Sequence, residues 1–398
     1  MKKKVTIIGG GPAAIMAAIN LDENLFDVHL FEQNKTLGRK FLVAGKGGFN
    51  LTHGEEMTPF VERFTPASFT KEALLAFDND ALRGFLADMK IPTFAGSSNR
   101  IYPEKQIKPI EVLQVMIAKM ESQGVTIHYN KKWTGWANEE LTFEDGESVK
   151  SDIQIFAMGG GSWKVTGSNG HWLKRFTEKS VKTNWFKPAN CAYKVEWSEQ
   201  FTKDNAGKPL KNITITCEGN SQKGEAVITS FGIEGNALYA MSPQIQPYFD
   251  SMKSCTIHLD FKPMFTLEEV IQKLEGGKKS ITYLLRKALK LSDVQVDLLF
   301  NFVPKDDYLN PEKLAKKIKA FPMKLTAAAD LNEAISTTGG IDLGELTENF
   351  ELKNHKNIFC IGEMSDWNAP TGGYLLQACF SMGVKTANHL NSVHKTQD

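Results

Sequence analysis

The sequence predicts an α/β fold: a discontinuous Rossmann-like domain interrupted by an inserted β-barrel and a small helical subdomain. Three observations predict it. An apolar strand at the chain start runs into a glycine turn. A second strand ends on an acid about twenty residues later. The texture then changes after Lys187-Pro188 and reverts near residue 338.

The first element is Val5-Thr6-Ile7-Ile8-Gly9-Gly10-Gly11-Pro12-Ala13-Ala14, a Gly-x-Gly-x-x-Ala turn directly after a strand. Each position has a physical task. Gly9 permits the tight turn. Gly11 has no Cβ, so backbone can approach a pyrophosphate. Ala14 is small enough for close helix–strand packing. The helix expected over residues 13–21 aims its N-terminal N–H groups and partial positive charge at phosphates. The second run, Val28-His29-Leu30-Phe31, ends on Glu32, placed to accept hydrogen bonds from a ribose.

Next comes a loop, residues 37–52, with glycines at 45, 47 and 48 that let backbone pass a flat ring or phosphates. Arg39, Lys40 and Lys46 could offset pyrophosphate charge. The prolines place Ile91-Pro92 and residues 99–103 in loops. Residues 110–121 carry helical apolar spacing, and a strand follows over 124–129. Residues 141–149 read as a hairpin turning at Asp145-Gly146, and residues 151–157 as a buried strand ending at Gly159-Gly160-Gly161. That triplet lacks helix-opening spacing, so no separate NAD(P)H domain is expected.

Within the insert, alternating strands are expected over 192–196, 213–217, 226–230 and 256–261, the pattern of a small barrel. Helical spacing follows over 267–274, 281–289 and 311–318, with turn signals at Gly276-Gly277 and Asn310-Pro311. A strand pattern over 325–336 leads back. The expected boundaries are 1–187 and 338–398 for the nucleotide domain, 188–265 and 321–337 for the barrel, and 266–320 for the helices. A strand at 357–363 then delivers Gly362-Glu363, and Gly372-Gly373-Tyr374-Leu375-Leu376 opens a closing helix. In flavin disulfide-reductase-like folds the acid after the last strand binds ribityl hydroxyls, and the next helix N-terminus faces the pyrimidine edge of the flavin. Glu363 and residues 372–376 resemble those parts.

Bulk properties bound the function. The chain has 398 residues, 41% of them hydrophobic and 23% charged, as in an ordinary globular protein of two or three domains. Its net charge of +1 suggests no polyanionic partner. The five scattered cysteines offer neither a dithiol centre nor a zinc ribbon, and fit a reducing cytoplasm. Lys2-Lys3-Lys4 precedes too short an apolar run for a signal peptide, and no stretch suits a membrane span. No metal is expected. His53 and His171 read as surface or structural histidines, Cys379 as core, and Lys313 to Lys319 as a solvated helix face. The catalytic group is left open.

Four segments together resemble the BaiN-like flavoprotein family, also described as NAD(P)/FAD-dependent or aminoacetone-oxidase-family FAD-binding proteins. They are residues 7–14, 38–52, 230–235 and 339–383, and the order of elements matches over essentially the whole chain. The resemblance implies FAD in a glutathione-reductase-like domain with a two-piece insert. The cofactor contacts it implies, with the motifs above, are Gly9, Gly11, Pro12, Ala13, Ala14, Glu32, Gln33, Arg39, Lys40, Ala44, Gly45, Gly47, Gly48, Asn50, Gly159, Gly362, Glu363, Gly372, Gly373, Tyr374, Leu375 and Leu376. Departures mark a divergent branch. Gly47-Gly48-Phe49-Asn50 stands where the family has Gly-Arg-Cys-Asn, and Leu375 replaces an asparagine.

The expected function is therefore an FAD-dependent oxidoreductase passing hydride between flavin N5 and an apolar small molecule, with NAD(P)H as a transient donor. Phe49, Trp163, Phe231, Trp367 and Tyr374 suggest the apolar substrate. The alternatives are an RNA-associated flavoprotein of the tRNA-modification kind, or a flavin-binding sensor without turnover.

Overall fold

The computed structural model describes residues 1–43, 49–251, 254–275 and 279–395. The chain forms two compact units, residues 1–187 with 335–398, and residues 188–334.

In the first unit, five parallel strands stand in the order Ile358–Cys360, Ile153–Phe156, Lys3–Ile8, Phe26–Glu32, Thr126–Tyr129. The first strand is central, paired in register with both neighbours (Ile7 opposite Ile155 and Leu30). Its last four residues are buried, as a parallel strand covered on both faces requires. Helices Pro12–Asn20, Pro109–Ser122 and Tyr374–Lys395 cover the sheet with Ala, Met, Val and Leu side chains that share one core with the strands. A meander of Trp133–Ala137, Glu140–Phe143 and Ser148–Val149 packs Trp133, Leu141 and Phe143 into a second core. Its turn closes with the Gly146 N–H donating to Phe143 O at 3.0 Å.

Residues 99–103, expected as loop, instead contain the strand Arg100–Pro103, paired with Thr52–His53 and Thr93–Ala95. Proline is tolerated there because it stands at the strand end.

The second unit is a seven-stranded sheet with its two edges formed by Phe321–Leu325 and Ala327–Ala328. Only Thr326 separates these edges in the chain. A sheet whose opposite edges are consecutive must curl until they meet, so it is barrel-like. Helices Leu267–Leu274, Ile281–Lys287, Asp293–Phe302 and Pro311–Lys319 bury Val270, Leu285, Leu299 and Ile318 in the same core as Ile215 and Ile257 of the sheet. Barrel and helices thus share one core.

The strand pattern expected over 325–336 is overturned in part: Leu331–Glu333 is a 3-10 turn. Residues 335–337 belong with the first unit, where Ser336–Ile341 pairs with Thr183–Ala189. Helices Glu199–Asn205 and Ser242–Ser251 interrupt the strand-rich stretch. Among the described residues no helix is long and apolar enough to cross a membrane.

Candidate functional site

The strand–turn–helix at the chain start builds one wall of a cleft. Gly9 turns the chain at φ +102°, and its N–H donates to Phe31 O at 2.9 Å. A Cβ on Gly9 would lie 2.5 Å from Ala157 O. Gly10, passed over in the sequence reading, is equally constrained. A Cβ there would meet Leu37 Cδ2 at 2.4 Å. Gly11 differs, because a Cβ on it meets nothing within 4 Å. Protein packing therefore gives Gly11 no reason to be glycine; the open space beside it belongs to the cleft. The following helix, Pro12–Asn20, starts with proline at its first turn and has no side-chain cap. Its first N–H groups face outward with their partial positive charge unmatched.

Glu32 ends the neighbouring strand and is 8% exposed. Its Oε2 accepts from Gly10 N at 2.9 Å. Its Oε1 accepts from Asn34 N and Asn34 Nδ2 at 2.8 and 2.6 Å. Burial pushes this carboxyl above its ordinary pKa, against the lowering effect of those donors. Oε2 takes one donor here and retains a second lone pair.

The cleft encloses about 910 Å³, counting its mouth, and lies wholly within the first unit. Gly9, Gly11, Pro12, Ala13, Glu32, Gln33, Arg39, Lys40, Gly159, Gly362 and Glu363 all line it. Ala14 is fully buried behind the turn. Ala44, Gly45, Gly47 and Gly48 lie outside the described residues.

Of the three cations expected to balance pyrophosphate, Lys46 lies outside the described residues, and Arg39 and Lys40 are held by protein groups. The Arg39 guanidinium donates to Asn34 Oδ1 at 2.5 Å and Val165 O at 2.8 Å. Lys40 Nζ pairs with Glu363 Oε2 at 2.8 Å and donates to Ser162 Oγ at 2.8 Å. Neither acceptor of Arg39 is charged, so its guanidinium keeps a positive charge at the cleft beside the helix N-terminus. Lining residues without a sequence signal include Asn34, Lys131, Trp133, Met158 and Ser168. Cys379, read as core, also reaches the wall.

Asn50, Gly372, Gly373, Tyr374, Leu375 and Leu376 are not on this cleft. Gly373 answers to protein packing, because a Cβ on it would lie 2.5 Å from Thr52 Cα, and Gly372 to its φ of +115°. Tyr374 is 6% exposed and stacks on His53 at 5.2 Å between ring centroids. Its hydroxyl donates to Glu55. Arg63 grips the same carboxylate at 3.2 and 3.1 Å. Burial raises the Glu55 pKa, but the Arg63 and Tyr374 bonds outweigh it and hold the carboxyl below its usual range. Burial, chiefly, pushes His53 down. Its Nδ1 accepts from Glu55 N at 3.1 Å, which leaves Nε2 to donate to Ser98 O at 3.1 Å. Neither Glu55 nor Arg63 carries a motif in the sequence. His171 is exposed. Of the aromatics expected against a substrate, Phe49, Trp367 and Tyr374 are core residues, and neither Trp163 nor Phe231 lines the cleft. Among the described residues no group of three His, Cys, Asp or Glu could hold a metal.

An open Gly11, an uncapped helix start and an acid ending the adjacent strand suit the phosphates and ribose of a dinucleotide. Comparison with known proteins agrees in fold. The HI0933-like protein Rossmann domain family matches residues 3–389. A 3-dehydro-bile acid delta(4,6)-reductase of Clostridium scindens is 25% identical, covering 96% of this chain and 97% of that one. A ribosomal RNA dihydrouridine synthase of Haemophilus influenzae is 22% identical, covering 96% of each. Among solved structures, the open conformation of a flavocytochrome c3 fumarate reductase superposes with a TM-score of 0.50 at 12% identity. It covers 98% of this chain and 78% of that chain.

Proposed function

We propose that this chain, which belongs to the HI0933-like Rossmann-domain family, is an FAD-dependent oxidoreductase that saturates a carbon–carbon double bond conjugated to a carbonyl. The electrons come from a transiently docked NAD(P)H. The observation that carries the cofactor part of this reading is Gly11, whose missing Cβ opens only onto the cleft beside an uncapped helix start; the reaction is inferred from the relatives named below.

FAD, when bound, supplies a ring nitrogen, N5, that accepts and returns hydride. The chain's residues hold and orient it. The N–H groups at the start of Pro12–Asn20 would meet the pyrophosphate, and the free lone pair of Glu32 would accept from a ribose hydroxyl. Glu363, fixed by Lys40 and by the Thr337 N–H at 3.2 Å, would offer its carboxylate to the ribityl chain. Gly159 and Gly362, at φ +71° and +78°, bring backbone to the same wall. The names of two relatives support the reductive direction. A delta(4,6)-reductase and a dihydrouridine synthase are each named for saturating a ring double bond.

The test is anaerobic addition of NADH or NADPH to the purified flavoprotein, followed by an enone. Bleaching of the visible flavin band and its return on enone addition are expected. A colourless protein that takes up no FAD would sink the reading.

A second reading has one specific support, the dihydrouridine synthase among the relatives. In it the reduced double bond belongs to a uridine in RNA. Return of the flavin band with RNA but not with a free enone would favour it.

A further inference from the structure

The second unit carries a trough that the proposed chemistry does not use. Counting the open solvent at its mouth it spans about 930 Å³, and four lysines line it: Lys208, Lys211, Lys262 and Lys290. They come from three separate segments, the start of the strand Pro209–Cys217 and the connections at 262 and 290, so the fold gathers the charge. The strand Pro209–Cys217 slips register between Leu210 and Ile213, which takes Lys211 and Asn212 out of the ladder and into the trough wall.

Among the described residues none of these four lysines is ion-paired. Lys262 Nζ donates to Lys290 O at 2.8 Å, and Lys208 Nζ to Asn205 Oδ1 at 3.3 Å, neither of which neutralises charge. Cations close by are matched: Lys319 meets Asp260 at 2.6 Å. The trough's one carboxylate, Asp293, is met by Arg286 at 3.0 Å. Burial and the neighbouring Lys290 push the Lys262 ammonium below its ordinary pKa, a cost an anion would relieve.

We propose that this trough binds the phosphodiester backbone of an RNA strand. The proposal rests on the second reading above, in which RNA carries the reduced base. Lysines act as point charges that suit phosphates without selecting a base. A hollow with several unpaired charges takes consecutive phosphates. A flat bilayer would not reach the half-buried Lys262. The chain's net charge is only +1, so attraction depends on this local patch.

The test measures binding of a short fluorescent single-stranded RNA to the holoprotein across salt, for the native chain and for Lys211→Glu/Lys290→Glu. Both positions are exposed. Native affinity should fall steeply with salt, with a logarithmic slope of about 0.7 per phosphate contacted. The double variant should bind at least about tenfold more weakly and lose about 1.4 of that slope. Lys211→Gln/Lys290→Gln repeats the test without reversed charge, should the first variant misfold. Unchanged RNA affinity in the variants overturns the proposal. So does equal competition by inorganic phosphate, which would mark a small-anion site, or equal binding of phosphatidylserine vesicles. Flavin content and bleaching by NAD(P)H are read on the same samples. Their loss in the native protein would fail the redox reading while leaving the RNA result to stand by itself.

Discussion

Gly9 and Gly11 lie two residues apart in one motif, yet different things require them. Gly9 is held by protein: its φ is +102° and its missing Cβ would strike Ala157 O. Gly11 has an extended φ of −85° and empty space around it. Gly9→Ala should therefore destabilise the fold by about 1–3 kcal/mol, seen as a lower Tm of apoprotein. Gly11→Ala should leave apoprotein equally stable, or up to about 1 kcal/mol more so. It should nonetheless lower the flavin-to-protein absorbance ratio. If both variants lose stability alike, the cleft at Gly11 is not a ligand cradle. The motif was legible as sequence. The division of labour within it was not, because it depends on Ala157 arriving from a strand about 150 residues away.

At the scale of elements, the nucleotide-turn helix and the C-terminal helix cross closely at Gly383. A Cβ there would lie 2.4 Å from Ala13 O and 2.9 Å from Ala17 N. The sequence reading placed close approach at Ala14, against the strand. A further close approach is helix on helix, and its glycine sits mid-helix with no turn signal. Gly383→Val should push the helices apart at a cost of about 1–3 kcal/mol. Because the displaced helix begins at the cleft, flavin retention should fall with it. A Tm drop with full flavin content would separate the crossing from the site. Other elements were hidden for related reasons. Arg100–Pro103 is a strand because Thr52–His53 and Thr93–Ala95 flank it, and no local propensity outweighs that pairing. In the Tyr374–Glu55–Arg63 cluster, Glu55 and Arg63 come from one stretch of chain and Tyr374 from 319 positions beyond Glu55, so the trio carries no spacing.

At the scale of the whole molecule, two units are built from different stretches of chain, residues 188–334 around one core and the flanking segments around two. Every residue lining the cleft belongs to the flanking segments. Calorimetry of apoprotein should show two unfolding transitions, and added FAD should raise only one. At a hundredfold excess over Kd the shift corresponds to about 2.7 kcal/mol. A single transition, or equal movement of both, would show that the units do not unfold separately.

By itself the sequence determined the α/β class, the strand–turn–helix at the chain start, the acid on the second strand and the interruption after Lys187-Pro188. These are signals of local period and backbone conformation, and they survive in one dimension. Tertiary structure decided which expected contacts share the cleft and which, like Tyr374 and Gly373, face a packed interior. It also committed Lys40 to Glu363, turned Arg39 toward Val165, and gathered four lysines into one trough. Each outcome is a pairing between distant residues, set by packing and charge matching in space, and adjacency along the chain carries no record of it.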